Sequence, residues 1–158
     1  HERMMRVNVL GVLNGCHAAF PYLKATPGAR IVNMSSASAL YGVPQFASYS
    51  ASKFAVRGLT EALNLEWAEH DITVSDIMPP FVSTNMLRSQ AEHPPILDRM
   101  GGHLAPEQVA AAVWAAQRSR TVHHPVGLRF AATLWSSQIA PSALVRAIMG
   151  WLSRPTAS

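Results

Sequence analysis

The sequence predicts an α/β fold built on parallel strands. Two short apolar runs, ARIVNMSS (29–36) and ITVSDIM (72–78), read as buried strands. Long segments with helical periodicity separate and flank them. Helix, strand, helix, strand, loop, helix, strand is an alternation that joins parallel strands through helical crossovers. Such a sheet needs both faces covered, and three strands make it narrow, so the pattern reads as part of a larger sheet.

Residues 2–24 place Met4, Val7, Leu10, Leu13, His17 and Phe20 near helical spacing. Pro27–Gly28 is a turn before the first strand. Residues 37–47 are small and irregular. A long amphipathic helix is expected from about Ser48 to His70, with Phe54, Val56, Leu59, Leu63, Leu65 and Trp67 on its apolar side. Pro79–Pro80 stops the second strand. Residues 81–104 read as a loop, and a loop of that length is commonly a lid or binding segment. Met86, Leu87, Ile96, Leu97 and Met100 there suit either an apolar substrate pocket or ordinary packing. Pro106–Glu107 opens a helix running to about Arg118. VGLRFAA (126–132) is expected as a third strand, and 133–152 as one or two short amphipathic helices. Packing against other protein surface is the expectation for that last segment, with a membrane surface as the rival.

The chain has 158 residues, about half of them apolar, which is a globular composition. No apolar run approaches the roughly 20 residues of a membrane span, and no signal-peptide pattern opens the sequence. A single cysteine, Cys16, cannot make an internal disulfide and fits a reducing compartment, hence a cytoplasmic expectation. Cys16 has no partner base and is expected to be a buried apolar residue. The net charge of +4 comes from scattered arginines without aromatic interleaving, so no nucleic-acid partner is expected. His123–His124 and the other histidines lack metal-ligand spacing with a carboxylate, so no metal site is expected.

The chemistry-bearing stretch is YSASK (49–53). Tyrosine is a weak acid with a reference pKa of about 10. Four residues on, Lys53 shares its helix face, and an ammonium there favours the phenolate. Tyr49 then becomes a usable general acid or base. The small residues between them let a ligand approach. Ser35–Ser36 ends one strand and IMPPFVST follows the other, so both reach the sheet edge where α/β folds place ligands.

Taken in order, VNVLG (7–11), GARIVNMSS (28–36), YSASK with FAVRGLTEAL (49–63), and DIMPPFVSTNM (76–86) resemble the motifs of the short-chain dehydrogenase/reductase family, over about residues 2–120. The resemblance implies the C-terminal half of a Rossmann-like, doubly wound parallel sheet, as a single incomplete domain over 1–158. Its catalytic half would be 1–80, its substrate loop 81–104, and its C-terminal helix, strand and tail 105–158. It implies an oxidoreductase interconverting an alcohol and a carbonyl with NAD or NADP. By position, Tyr49 is the acid/base, and Lys53 lowers its pKa and holds the nicotinamide ribose. Ser36 bonds the substrate oxygen, with Ser35 as a rival. Asn8 positions a water toward Lys53. Pro79, Val82 and Thr84 belong to the cofactor-contact segment, with Val82 and Thr84 meeting the carboxamide. Pro79–Pro80 departs from the family's Pro-Gly. The substrate would be a small, apolar alcohol or carbonyl, and the full-length protein a homo-oligomer through helix pairing.

The family's glycine-rich turn has no counterpart here: Gly11 and Gly15 fall inside a helix pattern. The chain is therefore expected to be a C-terminal portion lacking on the order of 90 residues. On that expectation it binds cofactor weakly alone, and its first strand exposes an unpaired edge. The rival reading is a catalytically inactive scaffold of the same fold.

Overall fold

The computed structural model describes residues 1–80, 82 and 104–153. A helical rod opens the chain: α1 (Glu2–Met5), a five-residue π segment (Arg6–Leu10), then α2 (Gly11–Lys24). Strand β1 (Arg30–Met34) follows, then a one-turn 3-10 helix (Ala37–Ala39), α3 (Ala47–Glu66), a second 3-10 turn (Ala68–His70) and β2 (Thr73–Met78). Then come α4 (Pro106–Ala116), β3 (His123–Pro125), α5 (Leu128–Ile139) and α6 (Ser142–Leu152).

The three strands form one parallel sheet in the order β1–β2–β3. Asn33 stands opposite Asp76, and Asp76 opposite His123, so these three side chains share a face. That face takes α2, α3 and α5. Val74 packs there with Cys16 and Trp67, and Met78 with Phe130 and Leu134. The opposite face takes α4, where Ile77 meets Val109, Ala116 and Val126. Helices on both faces are what parallel pairing requires, because neither face can be left wet. Within the described residues β1 pairs only with β2.

The stripe of α3 that meets the sheet is Ser52, Val56 and Thr60, spaced four apart and all buried. Small side chains there let the helix approach closely. The larger apolar residues read from periodicity divide: Trp67 is buried, while Phe54 and Leu65 are exposed. Along the first rod, Val7 and Leu10 are likewise 62% and 49% exposed, and Cys16 is the buried position. Burial pushes the Cys16 thiol up, which keeps it an unreactive core group, as its sequence setting indicated.

One expectation is corrected. VGLRFAA is not the third strand. That strand is His123–Pro125, and Leu128 already lies in α5. Gly127, at φ 90, turns the chain between them, a conformation that costs glycine little. A seven-residue apolar run reads alike as strand or helix, and only the turn decides.

A polar layer runs between α3 and the sheet. Asn33 Nδ2 donates to Thr60 Oγ1 at 3.0 Å, and Thr60 donates to the Val56 carbonyl. Cys16 Sγ lies 3.7 Å from Asn33 Oδ1. Replacing Asn33 with alanine removes the amide from this layer while its polar neighbours stay buried. The expected cost is about 1–3 kcal/mol, read as a lowered urea midpoint with an unchanged slope.

Candidate active site

Four elements converge at the C-terminal edge of the sheet. β1 delivers Ser35 and Ser36, β2 delivers Pro79 and Pro80, the first turns of α3 deliver Tyr49 and Lys53, and the β3–α5 junction delivers Val126 and Gly127. All of these line one cavity of about 1660 Å³. The farther wall is apolar and includes Leu40, Phe46, Phe130, Ile148 and Met149.

Backbone geometry separates the two serines. Ser35 Oγ donates to the Lys53 carbonyl at 3.3 Å, so it serves the backbone of α3. Ser36 caps the following 3-10 turn, its Oγ accepting from the Ser38 amide at 3.2 Å. Ser36 and Tyr49 line the same cavity. The turn is tied to β2 by the Ala37 amide, which donates to the Pro79 carbonyl at 2.9 Å.

Tyr49 and Lys53 sit one helical turn apart, with Nζ 5.5 Å from the phenol ring centroid. Burial raises the Tyr49 pKa above its ordinary 10.0, and the hydrogen bond with Ser36 partly offsets this. Burial lowers the Lys53 pKa. The expected depression of Tyr49 by Lys53 is therefore not what this arrangement displays. The ammonium donates to the Met34 carbonyl at 2.8 Å, at the end of β1, and the Tyr49 ring lies 6.3 Å from that of Phe46, centroid to centroid.

Asn8 lies in the π segment and does not line the cavity. Its Nδ2 donates to Ser52 Oγ at 3.0 Å, and Ser52 donates to the Tyr49 carbonyl at 2.7 Å. Asn8 thus reaches the site through the backbone of α3. Val82 lines the cavity and forms a parallel bridge with Leu104. Thr84, and the apolar loop residues Met86, Leu87, Ile96, Leu97 and Met100, lie outside the described residues.

Periodicity and spacing pointed to neither Ser52 nor His123 as a site-linked group. His123 bridges Asp76 and Glu61 at 3.0 Å each. The available signal was Asp76 itself, an acid inside a buried-strand pattern, which demands a cationic or hydrogen-bonding partner. Nothing local in the sequence names that partner.

The donor set fits one end of a nicotinamide dinucleotide. A lysine, a tyrosine hydroxyl and a serine hydroxyl open on one cavity at strand ends, where such ligands bind. Of the glycines among the described residues only Gly127 lines that cavity, so no glycine-rich cradle for a pyrophosphate is formed there. No cluster able to hold a metal ion occurs among the described residues, and no helix there is long and apolar enough to cross a membrane.

Comparison with known proteins agrees with this geometry. The family model described as short chain dehydrogenase matches residues 1–95. The chain is 43% identical over 75 residues to a 3-ketodihydrosphingosine reductase of Bacteroides thetaiotaomicron, covering 48% of this chain and 28% of that protein. It is 37% identical over 124 residues to 3beta-hydroxysteroid dehydrogenase 1 of Eggerthella lenta, covering 73% and 47%. A short chain dehydrogenase from Burkholderia cenocepacia, solved in complex with NADP, superposes with a TM-score of 0.77 at 29% identity, covering 92% of this chain and 58% of that one. The chain thus spans from under a third to just over half of these proteins. A parallel sheet wound by helices on both faces, a tyrosine–lysine turn at its C-terminal edge and a family match over residues 1–95 make this chain a member of the short-chain dehydrogenase family of oxidoreductases.

Proposed function

We propose that this chain carries the proton-transfer half of a nicotinamide-dependent active site that interconverts an alcohol and a carbonyl. The observation that carries the reading is that Tyr49, Ser36 and Lys53 line one cavity at the sheet edge, with Lys53 Nζ 5.5 Å from the Tyr49 ring centroid. The nicotinamide group, when bound, supplies or accepts the hydride. Tyr49 passes a proton to or from the substrate oxygen. In the present arrangement its phenol holds the proton firmly, a state suited to donation toward a developing alkoxide. Ser36 offers a second hydrogen bond to the same oxygen, held in place by the cap it makes on its own turn. Lys53 would leave the Met34 carbonyl for the ribose of NAD or NADP. Asn8, acting through Ser52, steadies the turn of α3 that bears both residues. Pro79, Val82 and Thr84 are assigned to the carboxamide side of the nicotinamide.

The substrate is proposed to be apolar. Leu40, Phe46, Phe130, Ile148 and Met149 form the cavity wall. Two relatives whose names specify sphingoid and steroid substrates point the same way.

A thermal-shift titration of the folded chain with NADH and NADPH tests the cofactor site. A concentration-dependent rise is expected for one of the two, amounting to about 2.7 kcal/mol of stabilisation at a hundredfold excess over Kd. A flat response to both from the folded chain would mean that these residues do not hold the cofactor without a glycine-rich turn beside them.

A further inference from the structure

His123 stands opposite Asp76 in the β2–β3 ladder, on the face covered by α3. Its Nδ1 lies 3.0 Å from Asp76 Oδ1 and its Nε2 3.0 Å from Glu61 Oε1. An ionised carboxylate only accepts hydrogen bonds, so a carboxylate oxygen at each ring nitrogen favours the doubly protonated imidazolium. Asp76 is fully buried, and its second oxygen has no hydrogen-bond partner among the described residues. Its charge therefore depends on His123, because a buried carboxylate without a cation is costly.

The chain of charges continues past Glu61. Glu61 Oε1 also accepts from Arg57 Nε at 3.0 Å. Arg57 Nη1 in turn donates to the Ala39 carbonyl at 3.3 Å. Ala39 ends the single 3-10 turn that Ser36 caps. Arg57 and Glu61 follow Lys53 by one and two turns along α3. An alternating series of Asp76, His123, Glu61 and Arg57 thus ties two strands to the helix that bears Tyr49 and to the turn that bears Ser36.

We propose that His123 is a positioning residue for the reaction assigned to Tyr49: its imidazolium orders Glu61 and Arg57 and so fixes the turn that presents Ser36. The proposal rests on the Tyr49–Ser36 reading of the site. Its pH behaviour follows from the groups that face the ring, Asp76 from β2 and Glu61 and Arg57 from α3. The hydrogen bond to Asp76 raises the His123 pKa above its ordinary 6.5, with burial and Arg57 pulling the other way and Glu61 adding to the rise. The stabilisation is full below the unfolded value near 6.5 and is lost as pH rises through the higher folded value.

The test places 4-fluorophenylalanine, a ring with no proton to lose in this range, at position 49 of the chain and follows its ¹⁹F resonance from about pH 5 to 9, across the range in which histidine titrates. The expected result is an inflection above 6.5 that vanishes in His123→Gln, together with loss of the accompanying fall in thermal stability. His123→Gln leaves Asp76 without its cation and can fail to fold. The double variant Asp76→Asn/His123→Gln keeps two amides in hydrogen-bonding reach without charge, and should be folded and flat. A resonance that does not respond to pH in the unsubstituted chain overturns the proposal. So does an inflection that persists in the double variant, which would belong to another group such as His1, whose ring bonds Ser48 at 2.6 Å. The measurement needs neither substrate nor cofactor. Its failure is therefore distinguishable from failure of the enzyme reading, which is judged by turnover.

Discussion

Tyr49→Phe is expected to lower turnover by roughly 10²–10⁴-fold, the range that a positioned general acid or base contributes. The assay requires a protein that carries this chain together with a dinucleotide-binding turn. The substitution deletes one hydroxyl and keeps the ring, so the packing of Phe46 against it, at 6.3 Å between centroids, survives. Lys53 keeps its bond to the Met34 carbonyl, and Ser36 keeps its cap on the Ser38 amide. Cofactor affinity should therefore stay within a few-fold while the step that moves the proton is lost. Single-turnover hydride transfer, paired with a direct binding titration, separates the two. Turnover that survives the change would show that another group protonates the substrate. A large parallel loss of cofactor binding would mean that the hydroxyl mainly holds the nucleotide.

Ile77→Ala should be the most damaging single truncation in the fold. Ile77 lies on the central strand, fully buried, and fills the space between β2 and α4 with Val109, Ala116 and Val126. Removing three carbons there loses transfer energy and leaves a cavity that a parallel ladder cannot collapse to fill. The expected loss is about 2–5 kcal/mol. At roughly 2–4 °C per kcal/mol for a chain of this size, the melting temperature should drop on the order of 10 °C. The same change at exposed Leu65, on the outer side of α3, should move it little. Equal effects at the two sites would contradict the assigned core.

Much of this fold is legible because strand and helix periods differ. The runs around Ile31 and Val74 became β1 and β2, and Pro106 opened α4, as pattern and stop signals required. Periodicity was less informative about direction. It marked Val7, Leu10 and Leu65 as core-facing, yet all three are exposed within the described residues, because a moment shows that a helix has an apolar side and not what covers it. VGLRFAA failed for a related reason: the run is too short for its period to discriminate, and the turn at its own Gly127 set the helix.

The sequence by itself determined the α/β alternation, the catalytic-type spacing of Tyr49 and Lys53 on one helix face, and the placement of Ser36 at a strand end. These depend on separations of a few residues, which backbone geometry fixes locally. Tertiary structure decided that Ser35 turns to the Lys53 carbonyl, that Lys53 turns to the Met34 carbonyl, and that burial raises rather than lowers the Tyr49 pKa. It also decided that Asp76 finds its cation in His123, 47 residues away. Such pairings depend on sheet register and on the local dielectric, and both come into being only when distant segments pack together.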